Sequence, residues 1–453
     1  MVENIDHNHR KNTLVTGCAG TGKTTRVILP KIQECLANGE SVIITDPRGE
    51  LLKTTAEAFR KKGYLVRRFD LSKPDKSDSW ACLSDLFAEE GTLDETRLTF
   101  FAQKIITASY PVYKEDRYIH LTCAMRALLK AGIVFATGET AKEFAEKQDQ
   151  SLDALINVFS AETTLDDFTA KSEKNGNAKA IQYLSEFKGY SDEAQSNFFA
   201  TVSQCLANYK AFAKVTGKAG IDLSLPAREK AAYYVNMPDA YACPLASMFI
   251  QMAYAKLAEE ADKSENGRCV IPVNMILDEF PILGRLQDLQ HILNTAKARG
   301  IYTTIVVQDI SQIYAIYGRD AGTVIIAVCD NVIDTNIEAT CRHLFETVSA
   351  KAGEDPTFTD AESELLKALL YASRVYACKS MPAGYTNHLL LKEARDIIAA
   401  ALKTKSPEDY LAGYVAENVQ AEEHLSIYKA SACNLRITFI RGLKARLDKY
   451  LDE

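Results

Sequence analysis

The sequence predicts an α/β protein built on a mainly parallel sheet. Short apolar runs typical of buried strands alternate with periodic segments typical of helices, first over residues 13–71 and again over residues 231–335. Strands separated by helices favour parallel pairing, because the helix returns the chain to the starting edge of the sheet. Between the two blocks, residues 94–217 carry helical periodicity and few strand signals. We therefore expect one sheet interrupted by an all-α insertion.

The individual elements follow from composition and period. Runs such as TLVT, SVIITD and IYTTIVVQD are rich in β-branched residues, whereas the intervening segments place apolar residues three and four apart. The expected strands are residues 13–16, 41–46, 64–71, 231–237, 270–280, 301–309 and 324–335. The expected helices include residues 23–36, 51–63, 119–136, 197–214, 244–261 and 286–298.

The chain of 453 residues is too long for one ordinary core, so we expect several units. Residues 1–91 and 225–335 are predicted to form the two parts of a nucleotide-binding domain, with an all-α domain at 92–224 between them. Residues 336–453 are predicted to be helical. The order of their elements is weakly similar to that of the all-α domain, and the sequence leaves both a repeat and an unrelated helical segment open.

Composition excludes several classes of protein. With 53 basic and 60 acidic residues the net charge is −7, which argues against a uniformly basic nucleic-acid-coating protein but leaves room for a local basic channel. The eleven cysteines include no CxxC pair, so they indicate reduced cytosolic thiols rather than a zinc ribbon or a disulfide framework. No apolar run approaches the ~18 residues of a membrane-spanning helix. The chain as given is therefore expected to be cytoplasmic.

A glycine-rich loop after the first strand carries the most specific motif. Residues 17–24 fit the pattern G-x-x-x-x-G-K-[ST], which wraps backbone N–H groups around phosphate oxygens and continues into a helix N-terminus that favours anions. An ordinary glycine-rich turn is the alternative. The lysine is expected to reach the β- and γ-phosphates, and the hydroxyl of Thr24 to bind Mg²⁺. The predicted nucleotide-binding residues are Gly17, Cys18, Ala19, Gly20, Thr21, Gly22, Lys23, Thr24 and Thr25.

Two further strand ends supply candidate catalytic groups. The run VNMILDEF ends in Asp278, expected to hold Mg²⁺ through water, and Glu279, expected to orient or deprotonate the attacking water. A buried strand ending in solvated acids is the alternative. Gln308 lies at the carboxyl end of the next strand and is a candidate for sensing the γ-phosphate, since ligands of parallel sheets bind at the carboxyl ends of the strands. An ordinary polar residue at a strand end explains it as well.

Together these motifs resemble the VirD4/TraG coupling proteins of conjugative type IV secretion. The segments TGCAGTGKT, TDPRGEL, LDEFPILG and VVQDISQI are similar to motifs of that family and occur in the same order, over roughly residues 11–91 and 225–335. The resemblance implies a RecA-like P-loop core with an all-α domain, related to hexameric FtsK/HerA motors. It also implies ATP and Mg²⁺ as cofactors, and DNA, a relaxase and a secretion channel as partners.

Three departures from the family pattern qualify what the resemblance implies. The family's membrane-anchoring segment is missing, so we expect this chain at the cytoplasmic face of the membrane only if an anchor lies upstream. The position of an inter-subunit arginine holds Lys297, a point charge without the planar fork of arginine, so either Lys297 or the nearby Arg299 serves a neighbouring subunit. The family's Gly-Gly-Asn-like turn after the last strand is absent.

Three hypotheses of function therefore remain. The first is a DNA-translocating ATPase, a hexamer when active and in isolation either a hexamer or a monomer. The second is a nucleotide-binding adaptor without motor activity that recruits a relaxase or effector protein. A P-loop NTPase of another branch is a third. Basic residues that could contact DNA phosphates, or equally form a solvated surface, are Arg60, Lys61, Lys62, Arg67 and Arg68.

Overall fold

A computed structural model describes residues 10–109, 119–160, 163–217, 220–238, 243–347, 356–380, 387–416, 418–431 and 435–452. It confirms the α/β fold with a mainly parallel sheet. The strands are β1 (Thr13–Thr16), β2 (Ser41–Thr45), β3 (Leu65–Asp70), β4 (Ala231–Asn236), β5 (Val273–Leu277), β6 (Ile301–Val307) and β7 (Asn331–Asp334). Their order in the sheet is β3-β4-β2-β5-β6-β1-β7.

The chain divides into two compact units. The first comprises Met1–Asn12, Ile28–Val306 and Gln312–Val328, and the second comprises Thr13–Val27, Val307–Ser311 and Cys329–Glu453. In the first unit β2, β4 and β5 are entirely buried, as expected for parallel strands covered on both faces. The register pairs Thr45 with Leu277, so the residues that follow β2 and β5 emerge at the same level.

The helices around the sheet are α1 (Leu29–Asn38), α2 (Glu50–Lys61), α10 (Pro244–Asp262), α11 (Leu289–Ala296), α12 (Ile310–Tyr317) and α13 (Arg319–Ala327). The expected strand at 324–335 is wrong in its first half. Residues 324–327 belong to α13, which buries Gly322 and Ile325 and leaves Val324 37% exposed. The i, i+3 spacing of its buried residues is that of a helix, although the local composition favours a strand.

As far as it is described, the insertion is mainly helical, with α3 (Glu95–Ser109), α4 (Ile119–Thr137), α5 (Ala141–Ala145), α6 (Leu152–Val158), α7 (Leu165–Asn175), α8 (Ala178–Phe187) and α9 (Asp192–Ala207). α4 is the apolar centre of this group, with Leu128, Ile133 and Val134 fully buried. α7 begins in a capping box, in which Thr164 and Asp167 satisfy each other's backbone N–H groups.

The C-terminal part of the second unit is a bundle of α14 (Thr335–Thr347), α15 (Pro356–Ser380), α16 (Asn387–Ala401), α17 (Pro407–Val415), α18 (Val419–Ala430) and α19 (Arg436–Asp452). Leucines of α15 and α19 form its core with Ile398. Whether this bundle repeats the inserted helices stays a prediction. Parts of the compared segments, residues 110–118 and 348–355, lie outside the described residues. None of the helices described in either unit is long and apolar enough to span a membrane.

Candidate nucleotide-binding site

The phosphate loop leaves β1 at Thr16 and is held from outside by two later segments. The Gly17 N–H donates to the carbonyl of Gln308 at 3.2 Å, and the Cys18 N–H donates to Oδ1 of Asn336 at 2.9 Å. Gln308 was predicted as a site residue for its side chain, which is exposed here, whereas its carbonyl is what holds the loop. Asn336 was not predicted, although a polar residue just after a strand end was the signal used for Gln308.

The glycines of the loop are required by its geometry. Gly20 and Gly22 have φ angles of +82° and +91°, a region that side chains disfavour. A Cβ on Gly17 would lie 1.9 Å from the Thr335 hydroxyl, so no side chain fits there without displacing Thr335. Gly20 and Gly22 therefore allow the tight turn of the loop, and Gly17 allows its close approach to Thr335.

Lys23 lies folded over the loop in this structure. Its amino group donates to the carbonyl of Gly17 at 2.5 Å and to that of Cys18 at 3.1 Å. Residues Lys23–Ile28 form a π-helical turn before α1, where a continuous α-helix was expected. Pro30 cannot donate the N–H that an α-helix would give to the carbonyl of Arg26, which gives the altered winding a direct cause.

The acidic residues after β5 form the other candidate group. Asp278 follows the strand directly; its carbonyl accepts a hydrogen bond from the Thr45 hydroxyl at 2.7 Å, and its Oδ1 accepts the Glu279 N–H at 3.0 Å. Glu279 has φ +47° and ψ +48°, a left-handed conformation rare for a glutamate. Such conformations persist only where the surrounding structure enforces them, and they concentrate at functional sites.

The segment after Glu279 is anchored to several helices of the first unit. The Cys243 N–H donates to the carbonyl of Ile282 at 2.9 Å, and the Tyr317 hydroxyl accepts the Leu286 N–H at 3.0 Å. The buried ammonium of Lys104 in α3 donates to the carbonyl of Arg285 and to the Ser247 hydroxyl. The inserted helices therefore contact the segment that begins at Glu279.

Burial lowers the pKa of Lys104 from 10.5 to about 8, with the nearby Arg285 as a smaller cause. Between these pH values the unfolded chain binds a proton that the folded chain does not, so the contribution of Lys104 to stability rises with pH. We expect the free energy of unfolding of the wild type, minus that of Lys104→Met, to rise by up to about 3 kcal/mol from pH 7 to 10.5. Urea titrations at several pH values measure this difference, and a constant difference would contradict the prediction.

Asp46 of the TDPRGEL segment has a structural role in the described contacts. Its carboxylate accepts the N–H groups of Glu50 at 3.0 Å and Leu52 at 2.8 Å, and so binds the start of α2. Its carbonyl accepts the Asn236 side chain at 2.6 Å. Burial raises the pKa of Asp46, opposed by these backbone donors. The motif thus ties β2, α2 and β4 together.

Lys297 and Arg299 lie in the turn between α11 and β6. The Arg299 guanidinium binds both carboxylate oxygens of Asp262, at 2.7 and 3.0 Å, and this contact lowers the pKa of Asp262. A role for Arg299 in a neighbouring subunit would require breaking this pair. Exposed ion pairs are worth only about 0–1 kcal/mol, so the pair is a weak restraint.

Most of the basic residues considered for DNA contact form ion pairs with this chain's own carboxylates. Arg60 and Lys61 lie within 4 Å of Glu57, Arg67 lies 3.7 Å from Asp78, and Arg68 binds Asp70. Arg67 and Arg68 are on β3, an edge strand of the sheet. Their contact with DNA stays a prediction.

Comparison with known proteins gives a consistent result. Residues 4–368 match the family described as type IV secretory system conjugative DNA transfer. Two Escherichia coli proteins named conjugal transfer protein TraG are 26% identical over 365 residues and 24% identical over 449 residues. The alignments cover 75% and 91% of this chain, and 55% and 67% of those proteins. The chain therefore spans between half and two thirds of the length of these relatives.

Solved structures share the fold. The bacterial conjugative coupling protein TrwBΔN70 in complex with sulphate has a TM-score of 0.54 and 17% identity, over 75% of this chain and 74% of that one. TrwB in complex with ADP and Mg²⁺ has a TM-score of 0.52 and 16% identity, over 75% of each chain. At this level of identity the similarity establishes the fold, which is the RecA-like P-loop core expected from the sequence.

Proposed function

Because the chain belongs to the type IV secretion family of conjugative DNA transfer proteins, we propose that it hydrolyses ATP to pump DNA, with bound relaxase, into a secretion channel. The match over residues 4–368 confirms the resemblance to VirD4/TraG proteins and assigns a coupling protein of conjugative DNA transfer. ATP hydrolysis, DNA pumping and relaxase recruitment are the finer part of the proposal.

The phosphate loop is the single observation that carries the ATPase proposal. Its glycines are required by φ angles and by the contact with Thr335, and its first two N–H groups are used by Gln308 and Asn336. The loop from Ala19 to Thr25 would then hold the phosphates, with Lys23 moving from its own loop carbonyls to phosphate oxygens. In this proposal seven of the nine predicted nucleotide-binding residues surround the phosphates, and Gly17 and Cys18 fix the start of the loop.

The donor set suits Mg²⁺ as the accompanying cation. Mg²⁺ prefers oxygen ligands and keeps several waters, so it needs few protein groups. Thr24 and Asp278 offer a hydroxyl and a carboxylate, and the described residues contain no cluster of three or more His, Cys, Asp or Glu that would favour another metal. Bound there, Mg²⁺ would neutralise charge on the phosphates, while Glu279 would orient or deprotonate the water. TrwB has been solved with ADP and Mg²⁺.

The remaining roles rest on the family alone. We propose Gln308 as a γ-phosphate sensor and Lys297 or Arg299 as the group presented to a neighbouring subunit of an active hexamer. A cytoplasmic site of action, at the membrane if an anchor lies upstream, agrees with a conjugation system. The insertion 92–224 and the C-terminal region 336–453 are proposed as separate domains attached to the core.

Lys297, at the position of the family's inter-subunit arginine, favours a second candidate function. If neither Arg299 nor Lys297 reaches a neighbour's nucleotide, activation between subunits is lost, and with it a rate enhancement of several orders of magnitude. Such a protein would still bind nucleotide, and its helical regions could recruit a relaxase or effector protein as an adaptor.

Turnover measurements separate these functions. Nucleotide affinity and ATP turnover are measured for the wild type and Lys23→Ala, with and without single- and double-stranded DNA. A motor shows turnover that rises with DNA, falls with added salt and is lost in Lys23→Ala. Binding without DNA-dependent turnover would favour the adaptor, and no binding in the wild type would reject both.

A further inference from the structure

The junction where β7 passes directly into α14 makes three contacts with the end of β1 and the phosphate loop. Asn336 accepts the Cys18 N–H at 2.9 Å, and the Thr335 hydroxyl lies 2.6 Å from that of Thr21 and donates to the carbonyl of Thr16 at 3.2 Å. These contacts extend from Thr16, the last residue of β1, to Thr21, the fifth residue of the loop. We call residues 334–336 the latch.

The latch is itself fixed by the C-terminal bundle. The Tyr371 hydroxyl in α15 accepts the Asp334 N–H at 3.1 Å, and the Tyr371 side chain is buried. The carbonyl of Tyr371 accepts the Asn418 amide at 3.0 Å, and its ring stacks on His424 with centroids 5.2 Å apart. His424 in turn lies 2.7 Å from a Glu364 carboxylate oxygen. Polar and ring contacts therefore run without interruption from α18 to the loop.

Capping of the N-terminus of α14 does not account for the polar side chains of Thr335 and Asn336. The cap of α14 is supplied by Asp334, whose Oδ1 accepts the Asn336 N–H at 2.9 Å and the Ile337 N–H at 3.4 Å. The Asn336 side chain instead points to Cys18. Its described contact is with the phosphate loop, more than 300 residues away in the sequence.

We propose that the latch positions the phosphate loop for nucleoside triphosphate and that Tyr371 lets the C-terminal bundle set the affinity of the loop. This rests on the proposed function for its ligand. A loop that samples several conformations binds with an affinity reduced by the fraction of time it spends in the competent one. The latch raises that fraction by holding Thr16, Cys18 and Thr21 together. The latch residues and Tyr371 are positioning residues.

The first test needs no nucleotide. Cys18 is exposed in the loop, so its alkylation rate by a maleimide, read by mass spectrometry of its peptide, reports how firmly the loop is held. Tyr371→Phe removes only the hydroxyl that binds Asp334. Tyr428→Phe is the matched control, because it removes a buried hydroxyl of the same bundle that donates to the Arg436 carbonyl.

We expect Tyr371→Phe and Asn336→Ala to raise the Cys18 rate about two- to tenfold, the effect of one hydrogen bond, and Tyr428→Phe to leave it unchanged. The same variants should raise the dissociation constant for a fluorescent ATP analogue by a similar factor. The two contacts act in series. The Tyr371→Phe/Asn336→Ala double variant should therefore bind the analogue no more weakly than the single variant with the lower affinity.

Equal labelling rates in Tyr371→Phe and Tyr428→Phe would overturn the latch. Wild-type protein that binds no nucleotide would reject the proposed function, yet the labelling rates would still decide whether the bundle holds the loop. If the wild type and Tyr371→Phe bind nucleotide with the same affinity, only the proposed effect of the bundle on nucleotide affinity is rejected. If Tyr371→Phe and Tyr428→Phe have equal thermal stability, a general loss of structure is excluded as the cause of faster Cys18 labelling.

Discussion

Glu279→Gln should abolish ATP turnover while leaving nucleotide affinity within a few-fold of the wild type. The substitution keeps the size of the side chain and removes the carboxylate that would accept or orient the water's proton. General bases contribute about 10²- to 10⁴-fold to rate, so the loss should be of that order. Turnover is measured by phosphate release, and affinity by a fluorescent ATP analogue.

Asp288→Asn is the matched control for that substitution. Asp288 is an exposed acid in the same segment. Among the described residues other than glycine, Glu279 and Asp288 are the two with positive φ, and the φ of Asp288 is +53°. Asparagine tolerates this conformation, so the control changes charge without new strain. It should retain turnover. Equal losses in both variants would indicate that the segment responds to any lost charge, and Glu279 would have no special role.

Arg446→Met should cost about 3–5 kcal/mol of stability in the C-terminal bundle. Glu362 and Arg446 are 2% and 7% exposed, their side chains are 2.5 Å apart, and the guanidinium lies over the Phe345 ring. The chain makes room for the pair at Gly442, where a Cβ would lie 1.9 Å from a Glu362 oxygen. Removing the arginine leaves a buried carboxylate without this partner, which is the costly outcome. Urea denaturation followed by circular dichroism measures it.

Two further variants serve as controls for the effect of Arg446→Met on stability. Lys444, two residues before Arg446, forms a partly exposed ion pair with Asp448, and Lys444→Met should cost less than about 1 kcal/mol. Glu362→Leu combined with Arg446→Met replaces both charges by apolar groups and should recover most of the loss. If Arg446→Met costs no more than Lys444→Met, the buried pair does not stabilise the bundle.

The local part of the site could be predicted from the sequence because its chemistry depends on neighbours along the chain. The spacing of Gly17, Gly22 and Lys23 encodes a loop that can wrap phosphate, and an apolar run ending in Asp278 encodes a strand that delivers an acid to the sheet edge. The strands of the sheet were predicted for the same reason. The 324–335 run is the exception, because its β-branched composition concealed a helical spacing of buried residues.

Only the tertiary structure decided which distant groups hold that loop. Asn336 and Thr335 reach it through folding of β7 beside β1, Gln308 serves it through a carbonyl that no side-chain pattern reveals, and Arg299 is taken up by Asp262. The sequence by itself determined the parallel α/β core, the phosphate loop and the acidic strand end, since each follows from short-range spacing. Partners hundreds of residues apart depend on strand pairing and helix packing, which bring them together only once the chain has folded.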